Sequence, residues 1–239
     1  MDQWIELTSE GRIIVHTGKV DIGQRISTAL ALIVSEELDV EFENIDVKPA
    51  QTGTAPDEGY TAGSMSMQQS GTAVRLACAT ARRHLRTLAG RFLDVDPAQL
   101  QVEDGVVYHP GGGNRVSYES LLADGPFGIP VDVSAPVKDP GKHVRIGRPV
   151  TAKGMADIIS GRTEFVHDIE LPEMLHARPV RPPNPTAKLR DLDRTTLRRL
   201  SEKGVTVVRD GSFVAVTSTD EFAAVKAAER VAATACWTI

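Results

Sequence analysis

The stretch that decides the fold runs Arg12-Ile13-Ile14-Val15-His16, then Thr17-Gly18-Lys19-Val20-Asp21-Ile22-Gly23-Gln24-Arg25, then Ile26 to Leu38, and ends at Asn44-Ile45-Asp46-Val47-Lys48. Its opening is apolar and β-branched. The preceding Trp4-Ile5-Glu6-Leu7 alternates, and Thr8-Ser9-Glu10-Gly11 separates the two, which predicts a hairpin. Ile26, Leu30, Ile33, Val34 and Leu38 then recur at helical spacing, the mark of an amphipathic helix. Asn44 to Lys48 reads as a further strand, so residues 12–48 have strand, helix, strand order. An α/β chain (α+β mixed) is expected.

Downstream, Pro49 to Gly63 is polar and leads into Ser64-Met65-Ser66. Met67, Val74, Ala77, Cys78, Ala81, Leu85, Leu88 and Phe92 share one helical face, with Arg75, Arg82, Arg83 and Arg86 off it, which predicts a second long helix with a wet arginine face. Asp104-Gly105 between apolar residues predicts a small hairpin over 101–107. Pro126, Pro130, Pro136 and Pro140 with Gly125, Gly128 and Gly141 break any regular element. The expected organisation is a first domain over 1–125, a linker over 126–142 and a second domain over 143–239. In the second, extended segments are expected near Phe165–Ile169 and Met174–Val180, then a Pro-rich turn from Arg181 to Pro185. A helix near Arg194–Leu200, strands at Val205–Val208 and Phe213–Val216, and a helix from Asp220 to Ala235 follow.

Composition narrows the function classes. A net charge of -5 gives no general attraction to a phosphodiester backbone, so nucleic acid is not an expected partner. The apolar runs, such as Ala29 to Val34, are far shorter than the ~20 residues of a membrane span. The opening Met1-Asp2-Gln3-Trp4 has neither the basic cluster nor the apolar core of a signal peptide, so a cytoplasmic protein is expected. Cys78 and Cys236 are isolated, too few for an iron–sulfur centre or a Cys-rich zinc site, and each reads as a small buried apolar residue. The six histidines show no ligand spacing, and His167-Asp168 are neighbours that a strand would point to opposite faces. Asp57 and Glu58 read as a solvated turn. No catalytic residue and no metal ligand is expected on this chain.

Two loops share a design suited to chemistry. Gly18 to Arg25 and Thr61 to Ser66 are rich in small or hydroxylated residues, and each runs into a helix amino terminus. Free N–H groups and the helix dipole favour a phosphate there, and small residues allow close approach. Two such loops in one domain suit a long, multiply charged cofactor, and Gln24 offers a donor and an acceptor to a pterin or base edge. The same residue types also serve as ordinary helix caps. Neither a Rossmann fingerprint nor a P-loop is present.

The run Gly18-Lys19-Val20-Asp21-Ile22-Gly23-Gln24 with Glu36-Glu37-Leu38-Asp39-Val40 resembles a segment of bacterial molybdenum hydroxylase large subunits. These are of the nicotinate dehydrogenase and isoquinoline 1-oxidoreductase type in the xanthine dehydrogenase and aldehyde oxidase family. Pro56-Asp57-Glu58-Gly59-Tyr60-Thr61-Ala62-Gly63-Ser64-Met65-Ser66 is similar to that family's second cofactor segment. Gly161 to Asp168 and Met174 to Pro183 resemble its hammerhead domain. The resemblance implies a molybdopterin-binding portion followed by a hammerhead-like domain. It implies that Gly23 and Gln24 contact molybdopterin, and that Ala62, Gly63, Ser64, Met65 and Ser66 line its pterin and phosphate groups. The cofactor would be molybdopterin with molybdenum, either alone or as the cytosine dinucleotide, its metal held by the cofactor's own sulfurs. Iron–sulfur clusters would sit on a partner subunit, and the complete enzyme would hydroxylate an N-heterocycle or oxidise an aldehyde.

Two departures stand out. Arg25 replaces the last glycine of the family's Gly-Gln-Gly, where it could block the cofactor or pair with a phosphate. The family's later cofactor loop, substrate-pocket aromatics and basic Glu have no match before Ile239. The chain is therefore expected to be incomplete alone, working with the remaining part of the molybdenum subunit. The alternative is a truncated, inactive homologue that binds no cofactor.

Overall fold

The structure is a computed structural model describing residues 1–123 and 125–238 of the 239. The chain divides into two compact units, Met1–Thr163 and Glu164–Ile239.

In the first unit, β1 (Ile5–Leu7) pairs antiparallel with β2 (Ile13–Val15), Ile5 opposite Val15. Helix α1 (Ile26–Leu38) then crosses to β3 (Ile45–Val47), which lies parallel to β2 with Ile13 opposite Ile45. A single π-helical turn, Met67–Gly71, leads into α2 (Thr72–Leu93), which packs on α1. Strands β4 (Gln101–Glu103), β5 (Val106–Tyr108) and β6 (Arg115–Ser117) form an antiparallel meander that runs into α3 (Tyr118–Leu121); a last short helix, α4, covers Met155–Ile159. The apolar stripes read from the sequence meet here: Leu30 and Val34 of α1 and Val74, Ala77, Cys78 and Leu85 of α2 are all buried, with Ile5, Val15 and Ile45 beneath them. Burying a side chain of the size of Leu30 stabilises the fold by about 2 kcal/mol. Tyr118 is also buried, its hydroxyl donating to the Leu38 carbonyl at 3.0 Å.

The expected linker at 126–142 is not where the units divide. This stretch is a strap bound along the first unit. The Phe127 and Gly128 N–H groups donate to Asp2, and the amino terminus donates to the Ile129 carbonyl. Arg82 donates to the Pro136 carbonyl, and Arg75 to that of Lys138. The N–H groups of Val144, Arg145 and Ile146 converge on one oxygen of Glu36 at 3.0, 2.7 and 3.0 Å, and the Lys138 N–H donates to Glu37. Proline and glycine do prevent a regular element here, but backbone donors they leave free are satisfied by the side chains of Asp2, of Thr80 on α2 and of Glu36 and Glu37 on α1. The arginine face of α2 is correspondingly not simply wet. Arg75 and Arg82 pair with Glu37, Arg83 with Asp132, and Arg86 donates to the Pro97 and Leu100 carbonyls.

Glu36 and Glu37 are fully buried at 0% and 1% exposure. Burial pushes the Glu36 carboxyl up. The N–H groups of Arg145 and Ile146, the Lys138 ammonium and the Val144 N–H outweigh that and hold it below its ordinary value. A lowered native pKa means the stabilisation is complete above the unfolded carboxyl range, about pH 4.3, and disappears as pH falls through the native value. Protection of the Val144–Ile146 amides, taken relative to their intrinsic exchange rate at each pH, is thus expected to fall on acidification below about pH 4, ahead of that of the α1–α2 core. Protection that persists at these amides until the whole unit unfolds would contradict this.

The second unit contains β7 (His176–Val180), β8 (Leu189–Asp191), α5 (Arg194–Ser201), β9 (Thr206–Asp210), β10 (Phe213–Ser218), α6 (Glu221–Thr234) and β11 (Cys236–Trp237). Its main sheet is antiparallel in the order β7-β10-β9, and β11 pairs with β8. Asp193 and Asp220 cap α5 and α6 by accepting from the Thr196 and Ala223 N–H groups. Ala227 and Val231 of α6 bury against Val180, Val214 and Val216. Two local expectations fail. Phe165–Ile169 is not extended, because Asp168 accepts from the Phe165 N–H at 2.9 Å and closes a turn. Cys236 is exposed, whereas Cys78 is buried and its thiol is pushed up by that burial.

Candidate cofactor site

The two small-residue loops are held together by a brace that begins at Thr17. Its hydroxyl donates to Glu58 at 2.9 Å and lies 2.8 Å from the buried Ser70 hydroxyl. Glu58 also accepts from the Gly18 N–H at 2.8 Å and from the Trp4 indole at 3.3 Å, so it is not the solvated turn residue expected. Gly18 is required for space: a Cβ there would overlap the Pro56 carbonyl oxygen. Lys19 is 1% exposed, and its ammonium donates to the consecutive carbonyls of Glu58, Gly59 and Tyr60. The Val20 N–H then donates to the Thr61 hydroxyl at 2.8 Å. Residues 17–20 and 58–61 are thereby laid side by side.

Beyond the brace, the first loop departs from the expectation of a bare helix amino terminus. The Asp21 carboxylate accepts from the N–H groups of Gly23, Arg25 and Ser27 and from the Ser27 hydroxyl. Burial raises the Asp21 pKa, but the Ser27 hydroxyl and these N–H groups bring it below the ordinary carboxylate value. The resident anion already answers the donors and the dipole of α1. The N–H groups of Gly23, Arg25 and Ser27 are therefore already employed, which departs from the bare helix terminus expected from the sequence. Gln24 is exposed, its amide folded onto its own loop: Oε1 accepts from the Ile22 N–H at 2.7 Å and Nε2 donates to the Val20 carbonyl at 2.8 Å. One N–H and one lone pair of that amide remain for a ligand. Gly23 has φ +98° and open space where a Cβ would be. Arg25 adopts φ 66° and ψ 36°, a left-handed conformation natural to glycine, and its buried Nη1 has no hydrogen-bond partner among the described residues.

The second loop is open. Ala62, Gly63 and Ser64 are exposed, Met65 and Ser66 half-buried. Gly63 and Ser64 take φ of 62° and 57°, turning the chain into the π-helical turn that begins α2. Exposed apolar side chains stand along both loops: Val20, Ile22, Tyr60 and Met67, with Tyr60 94% exposed. The residues therefore fit a pterin with a phosphate better on this second loop than at α1. The orphaned Arg25 nitrogen and the open Gly23 face are the features of the first loop that suit such a group.

Lys19, Asp21, Glu58 and Ser70 are participants that the sequence reading missed. Asp21 had a signal, an acidic residue just ahead of a helix start. The others had none, since their partners lie about forty residues or more away in the chain. A separate groove of about 610 Å³ lies between α2 and the strap, lined by Arg82, Arg86, Pro97, Val137 and Lys138. Its arginines and Lys138 already bind carbonyls or carboxylates, and it contains neither loop. Among the described residues no cluster of three or more His, Cys, Asp or Glu could hold a metal, and no helix is long and apolar enough to cross a membrane.

Comparison with known proteins shows which family the chain belongs to. Residues 1–145 match the family described as the molybdopterin cofactor-binding domain, and the chain belongs to that family, within the molybdenum subunits of the xanthine dehydrogenase class. It is 32% identical over 237 residues to a nicotinate dehydrogenase subunit of Pseudomonas putida, an alignment that covers 95% of this chain and 20% of that protein. It is 35% identical over 133 residues to the 6-hydroxypseudooxynicotine dehydrogenase complex subunit gamma of Paenarthrobacter nicotinovorans, covering 55% of this chain and 17% of that one. The chain thus spans about a fifth of the length of these relatives. Among solved structures, reconstituted CO dehydrogenase from Oligotropha carboxidovorans aligns with a TM-score of 0.45 at 24% identity, over 49% of this chain and 15% of that one.

Proposed function

We propose that the first unit supplies part of the cradle for a molybdenum-bearing pterin cofactor in a hydroxylase or dehydrogenase. The observation that supports this reading is the brace joining Gly18–Val20 to Glu58–Thr61, which ties together the two segments that resemble the family's cofactor segments. In this reading Gly23 presents bare backbone and Gln24 its spare amide capacity to the pterin, while Ala62, Gly63, Ser64, Met65 and Ser66 line the pterin and phosphate. The Arg25 guanidinium supplies a phosphate donor. When bound, the cofactor supplies the redox metal centre, and this chain's residues bind it, orient it and keep water from its face. The cofactor is assigned as molybdopterin or its cytosine dinucleotide.

The rest of the reading concerns what lies around the cradle. The second unit is read as the hammerhead-like domain, supported by identity to the nicotinate dehydrogenase subunit that runs through both units. The remaining part of the molybdenum subunit and an iron–sulfur subunit are the assigned partners, and the exposed Val20, Ile22, Tyr60 and Met67 form apolar surface for them or the cofactor to cover. The substrate class is an N-heterocycle or an aldehyde, and the location cytoplasmic.

The test is molybdenum and pterin analysis of the full-length protein purified from its native host with its bound subunits. Near-stoichiometric content is expected. Gln24→Ala and Ser64→Ala are expected to lower it at unchanged melting temperature, because both side chains are exposed and neither supports the core. Unchanged content in both variants would overturn the assignment of these residues. The capped α1 terminus and Arg25 favour a second reading, a homologue that binds no cofactor, and a wild-type protein free of molybdenum, pterin and partner would establish it.

A further inference from the structure

We infer that Lys19 is a positioning residue for the cofactor, a buried cation that fixes the course of loop 56–66 without touching the ligand; this rests on the cofactor reading above. A lysine at 1% exposure must have its ammonium satisfied, and here that is done by three successive carbonyls, those of Glu58, Gly59 and Tyr60. None of the ion pairs among the described residues involves Lys19. Its attachment is therefore to the loop's backbone alone. Three carbonyls on one cation set the curvature of residues 58–60 whatever their side chains are. Immediately after them, Thr61 is tied to Val20, and Ala62 begins the exposed run assigned to the cofactor.

Gly59 and Tyr60 are exposed, so water can replace the ammonium on their carbonyls. Loss of the charge should consequently free the loop while leaving the sheet and α1–α2 packing in place. Glu58 holds Thr17, Gly18 and Trp4 from the other side, which keeps the loop's entry fixed and confines the released portion to the residues after Glu58.

The experiment compares wild type, Lys19→Met and Val34→Ala as full-length proteins with their subunits. Val34 is buried in α1, remote in role from the loop, and its truncation matches the general destabilisation. Lys19→Met is expected to speed amide exchange in residues 58–66 about tenfold with the α1–α2 core unchanged. Molybdenum and pterin content should fall about tenfold, as when an outer residue that orients a binding shell is lost. Val34→Ala should lower the melting temperature and leave cofactor content near wild type. Equal content loss in the two variants, or unchanged loop exchange in Lys19→Met, would overturn the inference. A wild type lacking molybdenum and pterin would overturn the cofactor reading itself, and this inference with it, by a separate observable. Should Lys19→Met fail to fold, Lys19→Gln, which keeps a donor but removes the charge, takes its place, and unchanged exchange of residues 58–66 there would be equally decisive against it.

Discussion

Replacing Glu37 by alanine is expected to destabilise the first unit by about 3 kcal/mol, the lower end of the range for breaking a buried ion pair. Glu37 is 1% exposed and binds the Arg75 and Arg82 guanidinium groups and the Lys138 N–H at once. The lower end is appropriate because the Arg75 side chain is 30% exposed and can recover hydration, whereas that of Arg82 is 13% exposed and cannot do so fully. For a unit of this size the melting temperature should fall by about 10 °C. Thermal unfolding at neutral pH checks this, and a loss smaller than about 1 kcal/mol would mean that both arginines find other partners.

The second large effect is expected at Gly18. Its replacement by alanine puts a methyl group into the Pro56 carbonyl oxygen and against the Glu58 N and Cβ. Because the obstacle is backbone, no rotamer change relieves it, and a cost of about 1–3 kcal/mol is expected. The strands of the brace must separate, so the Trp4 indole should lose its Glu58 acceptor and move toward water. The readout is tryptophan emission in a Trp237→Phe background: a red shift with lowered melting temperature is expected, and unchanged emission would show that the loop accommodates the methyl group without opening.

How much of this was legible in the sequence depended on the distance over which each residue finds its partner. Ile26, Leu30, Ile33, Val34 and Leu38 satisfy a local period, so the β2–α1–β3 order was readable, and the same holds for Val74 to Leu85 in α2. Glu36 and Glu37 sit on α1 beside Ile33 and Val34 and look like an ordinary polar turn of a helix. Their burial is produced by residues 138–146, about a hundred positions later, and no period encodes that. The same separation made residues 126–142 read as a linker, since proline and glycine report irregular backbone but not detachment. In the two small-residue loops the residue types were visible and their present employment was not. Asp21 occupies N–H groups that the sequence reading offered to a phosphate, and Gln24 spends half its amide on its own loop.

The strap also sets a rule for dissecting the chain into parts. Cutting after residue 125 would strip the two acids of α1 of the backbone donors of Lys138 and Val144–Ile146 and of the Lys138 ammonium, and would remove the Lys153 N–H from Thr28 and the Lys153 ammonium from the Phe42 carbonyl. A helix carrying uncovered carboxylates in an apolar seam is a poor nucleus for an autonomous module. Recombinant pieces and chimaeras that exchange this domain between relatives should therefore place their junction past Lys153, near the boundary at Thr163, and should transplant the acids and the segment that covers them as one inheritance.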